Sequence, residues 1–186
     1  MATDRDIRKT AYVNKVAAEV AQLENEGVVL AGNAFSSVCF LKGDLSAEEL
    51  SGAALLSGRD GDALRASLVA PALGYEPEDW CAAATVRRDG SMLDDRLLRQ
   101  VVATLDPATL IICDNSAAHA VREAYPDELA SLPSIQAAEL LPGYVVYLMG
   151  MRVMNLGGFA ASLDDPKKKQ LMWAYLKQLS PLAEPY

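Results

Sequence analysis

The sequence predicts an α/β protein, a single domain over residues 1–186 in three α/β/α layers, with a central, mostly parallel sheet of about four strands. Three observations lead there. Short apolar runs alternate with stretches of helical period, and that alternation specifies a parallel sheet covered on both faces. Several of those runs end in glycine, asparagine or aspartate, the turn residues that follow a buried strand. A chain of 186 residues, half of them hydrophobic and a quarter charged, suits one domain with a sizeable core.

Asp4 to Asn25 forms an amphipathic helix with Ile7, Val13, Val16, Val20 and Leu23 at helical spacing. Glu26-Gly27 ends it. Residues 28–31 are the first buried parallel strand, opening into Gly32-Asn33-Ala34-Phe35-Ser36-Ser37. Ligands of open α/β sheets sit outside the carboxyl ends of the strands. Asn33, Phe35, Ser36 and Ser37 are therefore placed on the rim of any pocket, with a plain strand-to-loop turn as the other reading. Ser46 and Glu49 make a capping box for a short helix. Gly58-Arg59-Asp60-Gly61 leads a second helix, and its glycines permit close backbone approach to a ligand or to another segment.

Residues 80–86, WCAAATV, form the second strand, and Arg87-Arg88 leave its carboxyl end beside Asn33. Two arginines there suit a phosphate or a solvated loop. A helix over residues 92–105 precedes the third strand at residues 110–113. Asp114-Asn115-Ser116 then caps a helix carrying His119, the single histidine. Residues 144–149 and 151–155 are the last strand or strands, bent at Gly150. Pro166 stands at the first position of the final helix.

The net charge of −8 argues against broad attraction to nucleic acid. It leaves room for a local basic groove. The three cysteines, Cys39, Cys81 and Cys113, lack metal-ligand spacing, so no metal or other cofactor is expected. Cys81 and Cys113 lie in apolar runs as small core residues. No apolar run approaches the roughly 20 residues of a membrane span. The opening MATDRDIRKT lacks the apolar region of a signal peptide. A cytoplasmic location without membrane contact is expected.

From Gly27 to about Leu179 the chain resembles the uracil-DNA glycosylase superfamily, most closely its bacterial and archaeal iron–sulphur branch. That branch has a strand followed by Gly-Glu-Ala-Pro-Gly, matched by Gly32-Asn33-Ala34-Phe35-Ser36. Its Pro-Phe-Val-Gly-Arg-Ala-Gly is matched by Leu55-Leu56-Ser57-Gly58-Arg59-Asp60-Gly61, the most specific piece. Its Thr-Asn-Val strand end falls in Ala83-Ala84-Thr85-Val86, and its strand–glycine–alanine helix is similar to LIICDNSAAHAV. Its His-Pro-Ser loop with a following Asp-Pro helix resembles MNLGGFAASLDDPKKKQLMWAYLKQL.

The resemblance implies excision of a flipped DNA base by water. The base platform falls on Leu56, with Phe35 as a substitute, and Ser36 lies beside it. The base-reading asparagine falls on Ala84, and the histidine falls near Gly158. Asn33 takes the acidic position, and Asn155 the asparagine of mismatch-specific relatives. Arg59, Arg87, Arg88 and Arg152 are candidate phosphate contacts, and the cluster-binding cysteines are absent.

Two functions follow from this. One is a diverged base-excision N-glycosidase that uses Asn33 and Asn155 on DNA. The other is a catalytically inactive member that binds a nucleobase, a nucleotide or a protein. A flavodoxin-like or Rossmann-like nucleotide-binding domain is weaker, because no Gly-x-Gly-x-x-Gly follows the first strand.

Overall fold

The structure, a computed structural model, describes residues 3–180. Among these residues the sheet has six strands in the order β1-β3-β2-β4-β6-β5. They are β1 (Leu30–Gly32), β2 (Val38–Lys42), β3 (Cys81–Ala84), β4 (Thr109–Ile112), β5 (Val145–Leu148) and β6 (Met151–Asn155). The four central strands, β3, β2, β4 and β6, run parallel. The edge strands β1 and β5 are antiparallel to their neighbours. The expected sheet of about four strands is thus corrected to a six-stranded mixed one.

The helices are α1 (Asp4–Asn25), α2 (Ala47–Leu50), α3 (Arg59–Val69), α4 (Asp95–Leu105), α5 (Asn115–Ala124), α6 (Pro126–Ala130), α7 (Ile135–Ala138), α8 (Phe159–Ser162) and α9 (Pro166–Leu176). No helix among the described residues is long and apolar enough to cross a membrane. Alternating strand residues build two cores. Cys39, Leu41, Ala83, Leu110 and Val153 face Leu23 of α1, Leu98 of α4 and Val121 of α5. Phe40, Ala82, Ile111 and Met154 face Leu64 of α3, Phe159 of α8 and Met172 of α9. This is the period-2 arrangement of a sheet buried on both faces.

The first strand is where expectation and structure part most. Residues 28–31 were expected as a buried parallel strand. Instead β1 starts at Leu30, runs antiparallel at the edge and is only partly buried. The first parallel strand is β2, five residues long and buried throughout. Two apolar runs are separated by six residues in this stretch, Val28-Val29-Leu30-Ala31 and Val38-Cys39-Phe40-Leu41, the first followed directly by Gly32 and the second by Lys42-Gly43. Periodicity cannot say which of them takes the centre of a sheet.

The helix ends follow local chemistry. Thr3 caps α1 through a reciprocal hydrogen bond with Asp6, and Ser46 does the same for α2 with Glu49. Asp165 accepts from the amides of Lys167 and Lys168 at the start of α9, with Pro166 at its first position. The expected bend at Gly150 is a full hairpin. Met149 and Gly150 both take positive φ, 50° and 83°, between β5 and β6, the turn that suits strand twist.

Candidate functional site

The parallel strands end at Lys42, Ala84, Ile112 and Asn155, and these ends define one rim of the sheet. Because β1 is antiparallel, its own end lies at the opposite rim. Gly32 pairs with Cys81, the first residue of β3, and the Asn33 amide donates to the Trp80 carbonyl at 2.9 Å. Asn33 and Asn155 therefore stand at opposite ends of the sheet, and the structure does not bring them together. Arg87 and Arg88 likewise lie on the rim away from Asn33, contrary to expectation.

Each expected site residue has a local role. The Asn33 side chain accepts from the Phe35 amide at 3.0 Å, an Asx turn. Phe35 is half exposed and meets Tyr12 at 5.8 Å between ring centroids. Ser36 is buried and its hydroxyl donates to the Glu78 carbonyl. Asn155 is buried with both ends of its amide used: it donates to the Leu140 carbonyl at 2.7 Å and accepts from the Gly157 amide at 2.8 Å. Leu56 and Ala84 are buried in the core on the α3 side. Arg59 pairs with Asp164 at 2.6 Å and donates to the Leu163 carbonyl. Arg87 donates to the carbonyls of Glu26 and Met92, and Arg88 to those of Glu49 and Ala53. Arg152 sits at the start of β6, buried against Thr109 and Tyr75. His119 is exposed on α5.

The direction in which the parallel strands are added switches between β2 and β4, since β2 leads to β3 on one side and β4 leads to β6 on the other. A ligand is expected in that crevice. Here Asp114 closes it. Its carboxylate accepts from the amides of Gly43 at 2.9 Å, Asp44 at 3.0 Å and Ala117 at 2.8 Å. The Ser116 hydroxyl also donates to Asp44. A Cβ on Gly43 would lie 2.6 Å from the Ala117 nitrogen, so only glycine allows the two loops this close.

The opening lies beside that seal. A cleft of about 490 Å³ is lined by Lys42, Asp44, Gly58, Arg59, Asp60 and Ala160, among others, a size within the usual range of small-molecule sites. Its floor is a charged group that sequence reasoning missed. Lys42 Nζ lies 2.6 Å from Asp60 Oδ2 and 2.8 Å from Glu49 Oε2, with only 4% of the lysine exposed. Burial pulls the lysine pKa down, but the Asp60 and Glu49 hydrogen bonds outweigh it and leave it above the ordinary value. Glu49 also accepts from the amides of Ser46 and Leu56, each at 2.7 Å. The signal for this group was a lysine closing a fully apolar run, followed by the capping-box glutamate.

The thiols offer no chemistry to the cleft. Cys39 and Cys81 are neighbours on β2 and β3. Their contact, and then burial, hold Cys39 well above the ordinary thiol pKa. Burial does the same for Cys113. Thr85, one residue beyond β3, is buried, and its hydroxyl has no hydrogen-bond partner among the described residues.

Fold and cleft together define an open-sheet α/β protein with a cleft over a buried lysine–carboxylate group at the carboxyl rim of its parallel strands. No family model matches the chain, and no curated protein matches it.

Asn33→Ala removes one exposed hydrogen bond in a turn. We expect it to cost about 1 kcal/mol or less in stability and to leave any ligand affinity at the carboxyl rim unchanged. Chemical denaturation and ligand titration of the variant check both.

Proposed function

We propose that this chain is a diverged uracil-DNA glycosylase-like protein that has kept a cleft for a nucleobase or nucleotide and lost base excision. The observation that carries it is convergence. The segment after the first parallel strand, Gly58-Arg59-Asp60 and Ala160 of α8 all line one cleft. With β2 as the first parallel strand, the strand-then-glycine element of the resemblance moves from Gly32-Asn33 to Gly43-Asp44-Leu45-Ser46. Its acidic position then carries a carboxylate, Asp44. Realigned on Val86, the Thr-Asn-Val element would put Thr85 instead of Ala84 at the asparagine position, with a hydroxyl that has no hydrogen-bond partner among the described residues.

The same geometry speaks against turnover. Asn155 is committed to the backbone at both ends of its amide, Asn33 lies on the far rim, and no histidine stands at the cleft. Losing a single transition-state donor costs about 100- to 1000-fold in rate. The arginines that would meet DNA phosphates are engaged with carbonyls or with Asp164. A second reading, residual excision with Asp44 orienting the water, rests on that exposed carboxylate alone.

The test pairs two measurements. Labelled oligonucleotides carrying uracil, hypoxanthine, xanthine and mismatched bases are incubated with excess protein. Free bases and nucleotides are screened by thermal shift. We expect no cleavage and a rise in melting temperature with one ligand class, lost in Asp44→Asn. Cleavage that disappears in Asp44→Asn would establish the second reading instead. Neither cleavage nor any shift would sink both.

A further inference from the structure

Among the described residues, the first half of α1 buries no side chain against its own chain. The helix is 22 residues long, yet only Val16 and Leu23 are buried, and every residue from Asp4 to Lys15 is exposed. Three helical turns thus carry no buried residue, and so short a helix is marginal in water on its own. This stretch carries Ile7, Tyr12 and Val13, 57%, 58% and 39% exposed. Tyr12 of this stretch meets the ring of Phe35, itself 49% exposed.

The charge around this aromatic pair is ordered. On the helix side stand Arg5, Arg8, Lys9 and Lys15 against Asp4 and Asp6, a basic segment on a chain of net charge −8. On the other side of Phe35, Ser36 and Ser37 are tied to the loop before β3, through the Glu78 carbonyl and the Asp79 carboxylate. That loop exposes Glu76 and Glu78. The patch therefore runs from basic helix through aromatic pair to acidic loop.

We propose that this patch binds a second copy of the chain as a two-fold dimer, with Tyr12 and Phe35 of both copies at the axis. A two-fold contact uses the same surface on both partners. An axis through the aromatic pair sets the basic helix of each copy against the acidic loop of the other. The order of charge makes the patch complementary to itself, which a uniformly basic aromatic surface would not be. The proposal is independent of the carboxyl-rim cleft, because the patch lies at the opposite end of the sheet.

Sedimentation velocity across a concentration series, at low and high salt, tests it. We expect a dimer that weakens as salt rises. Phe35→Glu should weaken it at least about tenfold, on the scale of an aromatic interface anchor. Lys9→Glu and Glu78→Lys should each weaken it, and the double charge swap should restore it. All three positions are exposed, and an unchanged circular dichroism spectrum confirms the fold of each variant. A wild-type mass of one chain at the highest attainable concentration would overturn the proposal. So would a dimer indifferent to these variants, or a monomer that binds single-stranded oligonucleotide through Tyr12 and Phe35.

Discussion

Replacing Lys42 by methionine is expected to destabilise the protein by about 3–5 kcal/mol, the cost of stripping one partner from a buried ion pair. Methionine matches the length of the lysine stem, so the loss is electrostatic rather than steric. It leaves the Glu49 and Asp60 carboxylates, 3% and 14% exposed in their side chains, without the cation between them. Glu49 keeps its two backbone amides. Among the described residues, Asp60 has no other ion-pair partner within 4 Å. Replacing the whole group by uncharged residues should therefore cost less than removing the lysine alone. Lys42→Met combined with Glu49→Gln and Asp60→Asn is expected to recover part of the loss. Chemical denaturation of the single and triple variants measures the difference. A single variant as stable as the wild type would mean that water, not the two carboxylates, satisfies the lysine.

The same group sets a pH dependence. The folded Lys42 pKa is raised, by the Asp60 and Glu49 hydrogen bonds acting against burial. A raised folded pKa adds stability that is complete below the unfolded value, about 10.4 for lysine, and is lost as pH climbs through the folded value. Wild-type stability should fall above that pH more steeply than that of Lys42→Met.

The sequence showed the class of the fold because both core faces are written in period 2 and period 3.6 along the chain. It misplaced the sheet centre because Val28-Val29-Leu30-Ala31 and Val38-Cys39-Phe40-Leu41 carry the same local signal. Only pairing with β3 on one side and β4 on the other makes the second run central. That single exchange moved Asn33 to the wrong rim and hid Asp44. Lys42 was invisible for a related reason. A lysine after an apolar run looks like a strand leaving the core, whereas here Glu49 and Asp60, 7 and 18 residues away in sequence, fold over it. The Gly58-Arg59-Asp60-Gly61 turn was legible as a close backbone approach, and its neighbour is the chain itself.

Gly61 makes that approach, and Gly61→Ala is expected to cost about 3 kcal/mol or more, the upper end for overpacking a tight core. In an ordinary helix the same change stabilises by about 0.5–1 kcal/mol, so even the sign is diagnostic. A Cβ on Gly61 would fall 1.7 Å from the Leu56 carbonyl oxygen and 2.5 Å from its carbon. Leu56 cannot retreat. It already holds a positive φ of 57°, its amide donates to Glu49, its carbonyl accepts from Arg65, and its side chain is buried in the core. The first turn of α3 must move instead, and Asp60 moves with it, away from Lys42. The control is Gly58→Ala, at the N-cap of α3. There φ is −91° and the added Cβ meets only Asp60 Oδ1 at 3.3 Å. It should lose less than about 1 kcal/mol, the usual scale for a cap position. A gain in stability at Gly61 would assign it to helix propensity alone. A large loss at Gly61 with a small one at Gly58 makes the second glycine the contact that seats α3 on Leu56 and holds Asp60 over the cleft floor.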